Sequence, residues 1–192
     1  MPESDRMAEA EVTLRLAEYM LTLQGPNGRV KVSIDGAARR INGRSVFPIE
    51  TYLKNRRWKR EHTTGKNRWA GTYQRDSQVL EITCRPGCGD LDAKVGKRRG
   101  VAECKKGPLV RAKGGKEHFN LTHAIGQALI SKIECDDDIV LVAVPYTEQF
   151  KRLACNYQKQ PLVKRAGIRI CLVPHGTGDI FWPGGSPFRK RG

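Results

Sequence analysis

The sequence predicts an α/β fold: a mixed central sheet flanked by helices, preceded by a helical N-terminal region. Three observations carry this. Leu80, Ile82 and Cys84 alternate with Val79, Glu81 and Thr83, giving the two-residue period of a strand. The run IVLVAV at 139–144 is wholly apolar and IRICLV at 168–173 nearly so, as strands buried on both faces are. Around these runs, apolar residues recur at helical spacing.

The first helix is expected over 7–24, where Val12, Leu16, Tyr19, Met20 and Leu23 form a stripe that Gly25-Pro26-Asn27-Gly28 stops. Val30, Val32 and Ile34 alternate with polar residues and predict a short strand. Asp35 could cap a short helix through Ile41, ended by Asn42-Gly43, and Pro48 could open another running to Trp58. Helix, strand, helix, turn, helix is the order of winged helix-turn-helix modules. Arg39, Arg40, Arg44, Lys54, Arg56 and Arg57 supply cations there, and residues 59–76, with Trp69 and Tyr73 among further cations, could form the wing. A helical extension packed on the main domain fits equally well. The boundary is set between 1–76 and 77–192.

After the strand at 80–84, CRPGCG is a turn, and 90–95 and 101–106 read as two more strands joined by the basic hairpin Gly96-Lys97-Arg98-Arg99-Gly100. A helix is expected over 120–133, with Leu121, Ile125, Leu129 and Ile133 inward at four-residue spacing. Thr147 can cap the next helix, with Phe150, Leu153, Ala154 and Tyr157 inward. Residues 179–182 could add an edge strand. Three strands, helix, strand, helix, strand makes a mixed sheet with helices on its faces.

Lys and Arg total 35 against 20 acidic residues, a formal net charge of +15. So large a surplus calls for an anionic partner, and nucleic acid is the commonest, because each neutralised phosphate releases a counterion. No run is long and apolar enough to span a bilayer, so no membrane partner is expected. The acidic, polar start MPESDRMAEAE is not a signal peptide. Cys84, Cys88, Cys104, Cys135, Cys155 and Cys171 read as reduced thiols of a cytoplasmic protein. Cys84 and Cys88 have a spacing zinc can use, but no second pair of ligands matches them. Asp136-Asp137-Asp138 reads as a solvated turn.

The chemistry concentrates in GDLDAKVGKRRGVAECKKG, residues 89–107. Side chains alternate across a strand, so Asp90, Asp92 and Lys94 share one face, as do Val101, Glu103 and Lys105. If the hairpin pairs in register, an aspartate and a glutamate converge beside a lysine. Two carboxylates on a strand pair can hold Mg²⁺, with Mn²⁺ as a substitute. The residues alone leave open which of Asp90 and Asp92 is the ligand.

Here the chain resembles the PD-(D/E)xK nuclease superfamily, which includes many restriction endonucleases and Holliday-junction resolvases. In that pattern an aspartate on the second core strand precedes Glu-x-Lys on the third. Glu103-Cys104-Lys105 follows Asp90 by 13 residues, and Asp90-Leu91-Asp92-Ala93 looks like the start of the second strand in resolvases. Residue 89 is Gly where the pattern has Pro. The resemblance implies Asp90 and Glu103 as metal ligands, the Cys104 carbonyl as a further ligand and Lys105 near the nucleophile. It also implies a helix after the third strand, on which Gln127 looks like the glutamine of many members. His123 lies four residues earlier on the same helical face and has the chemistry of a general base, although a helix-surface histidine is more often functionally neutral. A helix bearing a glutamate usually precedes the first strand; Glu50, Glu11 and Glu18 are the candidates.

The function this implies is Mg²⁺-dependent endonucleolytic hydrolysis of DNA, double-stranded or branched, leaving a 5′-phosphate. A restriction or defence role comes first, with junction resolution or non-catalytic DNA binding as alternatives. Cutting both strands needs two sites, so a homodimer is expected. Lys97, Arg98 and Arg99 join the N-terminal arginines and lysine as expected DNA contacts.

Overall fold

The structure, a computed structural model, describes residues 5–34, 40–41, 44–45, 47–64, 67–84, 89–110, 115–131, 135 and 137–188. Helix α1 (Glu9–Gln24) follows the short strand β1 (Arg6–Met7) and ends at Gly25, whose φ of +76° suits glycine and whose N–H closes on the Leu21 carbonyl at 3.1 Å. Strand β2 (Arg29–Ser33) comes next, then β3 (Arg40–Ile41), β4 (Arg44–Ser45), α2 (Ile49–Asn55), β5 (Lys59–Thr63), β6 (Gly71–Arg75) and β7 (Gln78–Thr83). The rest of the chain adds β8 (Leu91–Val95), β9 (Arg98–Cys104), β10 (Gly107–Pro108), α3 (Lys116–Ala128), β11 (Ile139–Pro145), α4 (Glu148–Gln158), α5 (Pro161–Arg165) and β12 (Arg169–Val173).

Eight strands form one mixed sheet in the order β12-β11-β9-β8-β2-β7-β6-β5. Strands β9, β11 and β12 run parallel, β8 is antiparallel to both β9 and β2, and β2 is parallel to β7. Val30, Val32, Leu80, Ile82, Leu91, Ala93, Ala102 and Cys104 point from one face into a core completed by Leu14, Leu16, Met20 and Leu21 of α1. On the other face Val142, Val144, Ile170 and Leu172 pack against Leu121 and Ala124 of α3 and Phe150 and Ala154 of α4. Strand β11 is apolar throughout because it is covered on both sides. Thr147 caps α4 as expected, accepting the Phe150 N–H at 3.2 Å.

The first 76 residues differ from the helical reading. Arg40–Ile41 is a strand paired with Arg44–Ser45, not the end of a helix. Asn-Gly between flanking residues favours a two-residue hairpin turn as strongly as it favours a helix stop. The rest of the helix expected from Asp35, at 35–39, and its Asn42-Gly43 stop lie outside the described residues. The expected wing is the β5–β6 hairpin, which extends the main sheet and sends Trp69 and Tyr73 inward, 9% and 4% exposed. Strand β7, the first after residue 76, is hydrogen-bonded between β2 and β6, so one sheet runs across the expected boundary.

Elsewhere α3 starts earlier and stops sooner than expected, burying Leu121, Ala124 and Ala128 while Leu129 is 62% exposed. Residues 179–182 contribute a single bridge, Leu172 to Phe181.

Glu18 ties α1 to α2 and β6. It accepts from Tyr52 Oη at 2.9 Å and Trp58 Nε1 at 3.1 Å, and pairs with Arg56 at 3.0 Å and Arg75 at 3.1 Å. Removing one carboxylate would leave two largely enclosed guanidinium groups without their anion. Glu18→Ala is expected to cost about 3 kcal/mol, read as a lower urea midpoint with an unchanged slope.

Candidate active site

The Asp90–Glu103 arrangement starts from a hairpin. Val95 pairs with Arg98 around the two-residue turn Gly96-Lys97, and Gly96 takes a φ of +61° that glycine adopts without strain. This register pairs Leu91 with Ala102 and so sets Asp90 opposite Glu103 on the same face of the sheet. The Asp90 N–H donates to the Ala102 carbonyl at 2.8 Å, and its Oδ2 accepts the Cys104 N–H at 2.8 Å. Gly89, at φ +114°, lets the chain enter β8 at this angle. A proline, fixed near −65°, could not adopt that conformation, which gives a physical reason for glycine in place of the pattern's proline.

The site lies at the C-terminal end of β9, where the two helical layers meet the sheet edge. Lys105 Nζ stands 3.7 Å from Glu9 Oε2, in the first turn of α1, and only 13% of its side chain is exposed. Burial raises Asp90 from 3.8 to about 7; the Cys104 N–H opposes the rise, the Glu103 carboxylate adds to it, Lys105 opposes it and Glu9 adds. Glu103 is also pushed up by burial, with Lys105, a Ser131 hydrogen bond and His123 holding it down and Glu9 raising it. Three carboxylates thus share one ammonium at a partly dry strand end.

Helix α3 supplies the wall. Ser131 Oγ lies 3.4 Å from Glu103 Oε1, and His123 acts electrostatically on the same carboxylate. Gln127 stands midway between these two at four-residue steps, on the same stripe. Its Oε1 is buried without a hydrogen-bond partner among the described residues, which leaves an acceptor open in the wall.

Other expected residues lie apart. Asp92 shares the face of Asp90, but Arg99 grips both its oxygens at 3.0 and 2.8 Å and reaches Asp138 at 3.2 Å. Glu50 pairs with Arg60 at 3.8 Å, Glu11 with Arg15 at 2.8 Å and His175 at 3.0 Å, and Glu18 serves the network above. The helix glutamate at the cluster is Glu9, which sequence reasoning missed. Its signal was available: an acidic residue in the first turn, at the end of α1 away from Gly25.

The expected DNA-contacting cations are scattered. Arg56 is held by Glu18 and stacks 3.7 Å over the Tyr52 ring. Lys54 and Arg57 sit at the end of α2, whose Ile49, Tyr52 and Leu53 join the core on the α1 face, the opposite face from Asp90 and Glu103. Arg98 Nη1 donates to the Pro187 carbonyl at 2.9 Å, and Lys97 is exposed at the hairpin tip. Arg40 and Arg44 are strand residues; Arg39, Cys88 and Asp136 lie outside the described residues. The Cys104 thiol is fully buried and pushed well above its ordinary value by burial, so the side chain is not a nucleophile; its backbone N–H is what reaches Asp90.

Among the described residues no group of three or more His, Cys, Asp or Glu side chains is placed to hold a metal ion. No helix among them is long and apolar enough to cross a membrane. The chain matches no protein-family model, no curated protein and no solved structure.

Proposed function

We propose that this chain is a Mg²⁺-dependent endodeoxyribonuclease whose centre is Asp90, Glu103 and Lys105. One observation carries the reading: the hairpin register brings two carboxylates and an ammonium, from one short motif, to a single strand end, with Glu9 beside them. Element order supports it. Helix α1, strands β2, β8 and β9, helix α3 and strand β11 follow the helix, three strands, helix and strand of the PD-(D/E)xK pattern. Residues 34–90 are interposed between the first two of those strands. The first strand in this reading is β2, not β7.

The donor set fits Mg²⁺, which binds through one or two carboxylates and keeps several waters, so a closed cage is not required. Asp90 offers the oxygen not held by Cys104. The alternation of strand backbone groups sends the Cys104 carbonyl to the same edge as its N–H, toward Asp90. Burial raises both carboxylates, so a cation that binds their ionised forms would release a proton on loading. When bound, Mg²⁺ supplies polarisation of a phosphoryl oxygen and acidification of a water. Lys105, steadied by Glu9, directs its ammonium at the charge that develops on the phosphorus oxygens. Gln127 Oε1 can accept a proton-bearing water and orient it, and Ser131 keeps Glu103 in place.

The role is cleavage in restriction or defence, with junction resolution the neighbouring role for the same site; cutting both strands calls for two copies of the chain. The test is incubation with plasmid, four-way-branched and single-stranded DNA, in Mg²⁺ or in EDTA. Cleavage is expected only with Mg²⁺ and only by the wild type, not by a folded Glu103→Ala variant. Equal cleavage by both would remove the site, and salt-sensitive binding without cleavage under any divalent metal would leave a DNA-binding protein.

A further inference from the structure

One face of the sheet is covered unevenly. Helices α3 and α4 pack on β9, β11 and β12, and no residue of β2, β6, β7 or β8 belongs to the apolar cluster beneath them. The same face of β8, β2, β7 and β6 is largely polar: Lys94 and Asp92 on β8, Arg29 and Lys31 on β2, Glu81 beside Val79 on β7, Gln74 on β6. It is continuous with Asp90 and Glu103, which lie on that face.

The charges on it form rows. The register that pairs Val30 with Ala93 sets Arg29 beside Lys94, and Gln24 Nε2 donates to both their carbonyls, at 2.9 and 2.8 Å. Lys94 in turn pairs with Arg99. Like charges directly opposite one another weaken a sheet, so folding does not account for this row. Asp92 and Asp138 neutralise Arg99, but among the described residues neither Arg29 nor Lys94 makes an ion pair, and both are exposed. Lys31, in the next row, is only loosely engaged by Glu81 at 3.7 Å, with 58% of its side chain exposed.

We infer that this open face is the track on which the DNA substrate lies, with Arg29 and Lys94 gripping the phosphate backbone beyond the cleavage site and Lys31 between. The inference rests on the nuclease reading for its choice of DNA. Four residues along β8 separate Asp90 from Lys94, about 13 Å at strand rise. At ~3.4 Å of duplex axis per nucleotide, a duplex lying along β8 spans about four nucleotides between the two ends of the face. The carboxylates repel phosphate unless a cation lies between them, whereas the cationic row holds it unaided. The row therefore supplies affinity and the cluster supplies chemistry. The basic helix expected to read DNA packs on the opposite face of the sheet.

The test is binding of a duplex oligonucleotide in EDTA, followed by fluorescence anisotropy across a salt series. Each phosphate contact contributes about 0.9 to the slope of log affinity against log salt, so Arg29→Ala/Lys94→Ala should lower it by about 2. Lys164→Ala/Arg165→Ala, which removes the same charge from the exposed helix α5, should leave it unchanged, and Arg29→Lys/Lys94→Arg should restore it. In Mg²⁺ the first double variant should raise KM and keep kcat at saturation. A wild type with no salt-sensitive binding, a slope unmoved by Arg29→Ala/Lys94→Ala, or an equal fall in the α5 variant would overturn the track. Binding as expected without cleavage in Mg²⁺ would overturn the activity and leave the track standing.

Discussion

Asp90→Asn is expected to slow Mg²⁺-dependent cleavage by on the order of 10³-fold while making the metal-free protein more stable at alkaline pH. On the proposed reading, loss of the rate follows from removing a ligand whose charge the cation would need. The stability gain follows from the environment of the carboxylate. Burial moves Asp90 from 3.8 to about 7, so between these values the folded chain holds a proton that the unfolded chain releases. For a raised acid the sign is fixed: stability is fullest below the unfolded value and is lost as pH climbs through the folded one. Above pH 7 the whole cost of an ionised, enclosed Asp90 is present, on the order of 4 kcal/mol at most. Asparagine removes that charge and can still accept the Cys104 N–H. Urea unfolding in EDTA should therefore show the variant ahead by a few kcal/mol at pH 8, with the gap closing toward pH 5. A variant less stable than wild type by the same amount at both values would contradict this account of the site.

Gly89→Ala should cost both stability and activity. At φ +114° an added Cβ would meet the Ala102 carbonyl oxygen at 2.9 Å, Val101 Cγ1 at 3.0 Å and Glu103 Oε1 at 3.4 Å. The first of these is backbone in the centre of the sheet and has little room to give. Strain of this kind costs about 1–3 kcal/mol. It also pushes β8 away from β9 at the point where Asp90 meets Cys104, and a shift of about 1 Å at a reacting centre costs on the order of 10²-fold in rate. Gly96→Ala is the comparison: its φ is +61°, nothing lies within 4 Å of an added Cβ, and it is far from the carboxylates along β8. A smaller destabilisation there, with cleavage retained, separates turn strain from disruption of the site.

Elements whose packing repeats a simple period were readable from the sequence. Strands β7, β8, β9, β11 and β12 alternate or run apolar, and α4 announces itself through Thr147 and Phe150. Strand β5, KREHT, is exposed at every position and offers no period, so it read as part of a wing. The inward stripe of α3 is Leu121, Ala124 and Ala128, and two alanines are a weaker signal than the Leu and Ile four residues apart. The position of β2 between β8 and β7 depends on pairings across about 50 residues to β7 and about 60 to β8, which local patterning does not report.

For the site, the motif spacing carried the hairpin neighbours Asp90, Glu103 and Lys105, because a two-residue turn converts sequence distance directly into register. Glu9 was missed for the opposite reason. It meets Lys105 only through the packing of α1 across the sheet. The open cationic face was missed as well, since Arg29 and Lys94 become neighbours only when β2 inserts beside β8.

Diffraction from crystals of the protein soaked in Mn²⁺, read as an anomalous difference map, tests the central claim most directly. A single strong peak in contact with a carboxylate oxygen of Asp90 and one of Glu103, lost in Glu103→Gln crystals, is the expected result. A map with no peak between those two residues, or one centred on Asp92 and Asp138 instead, would contradict it.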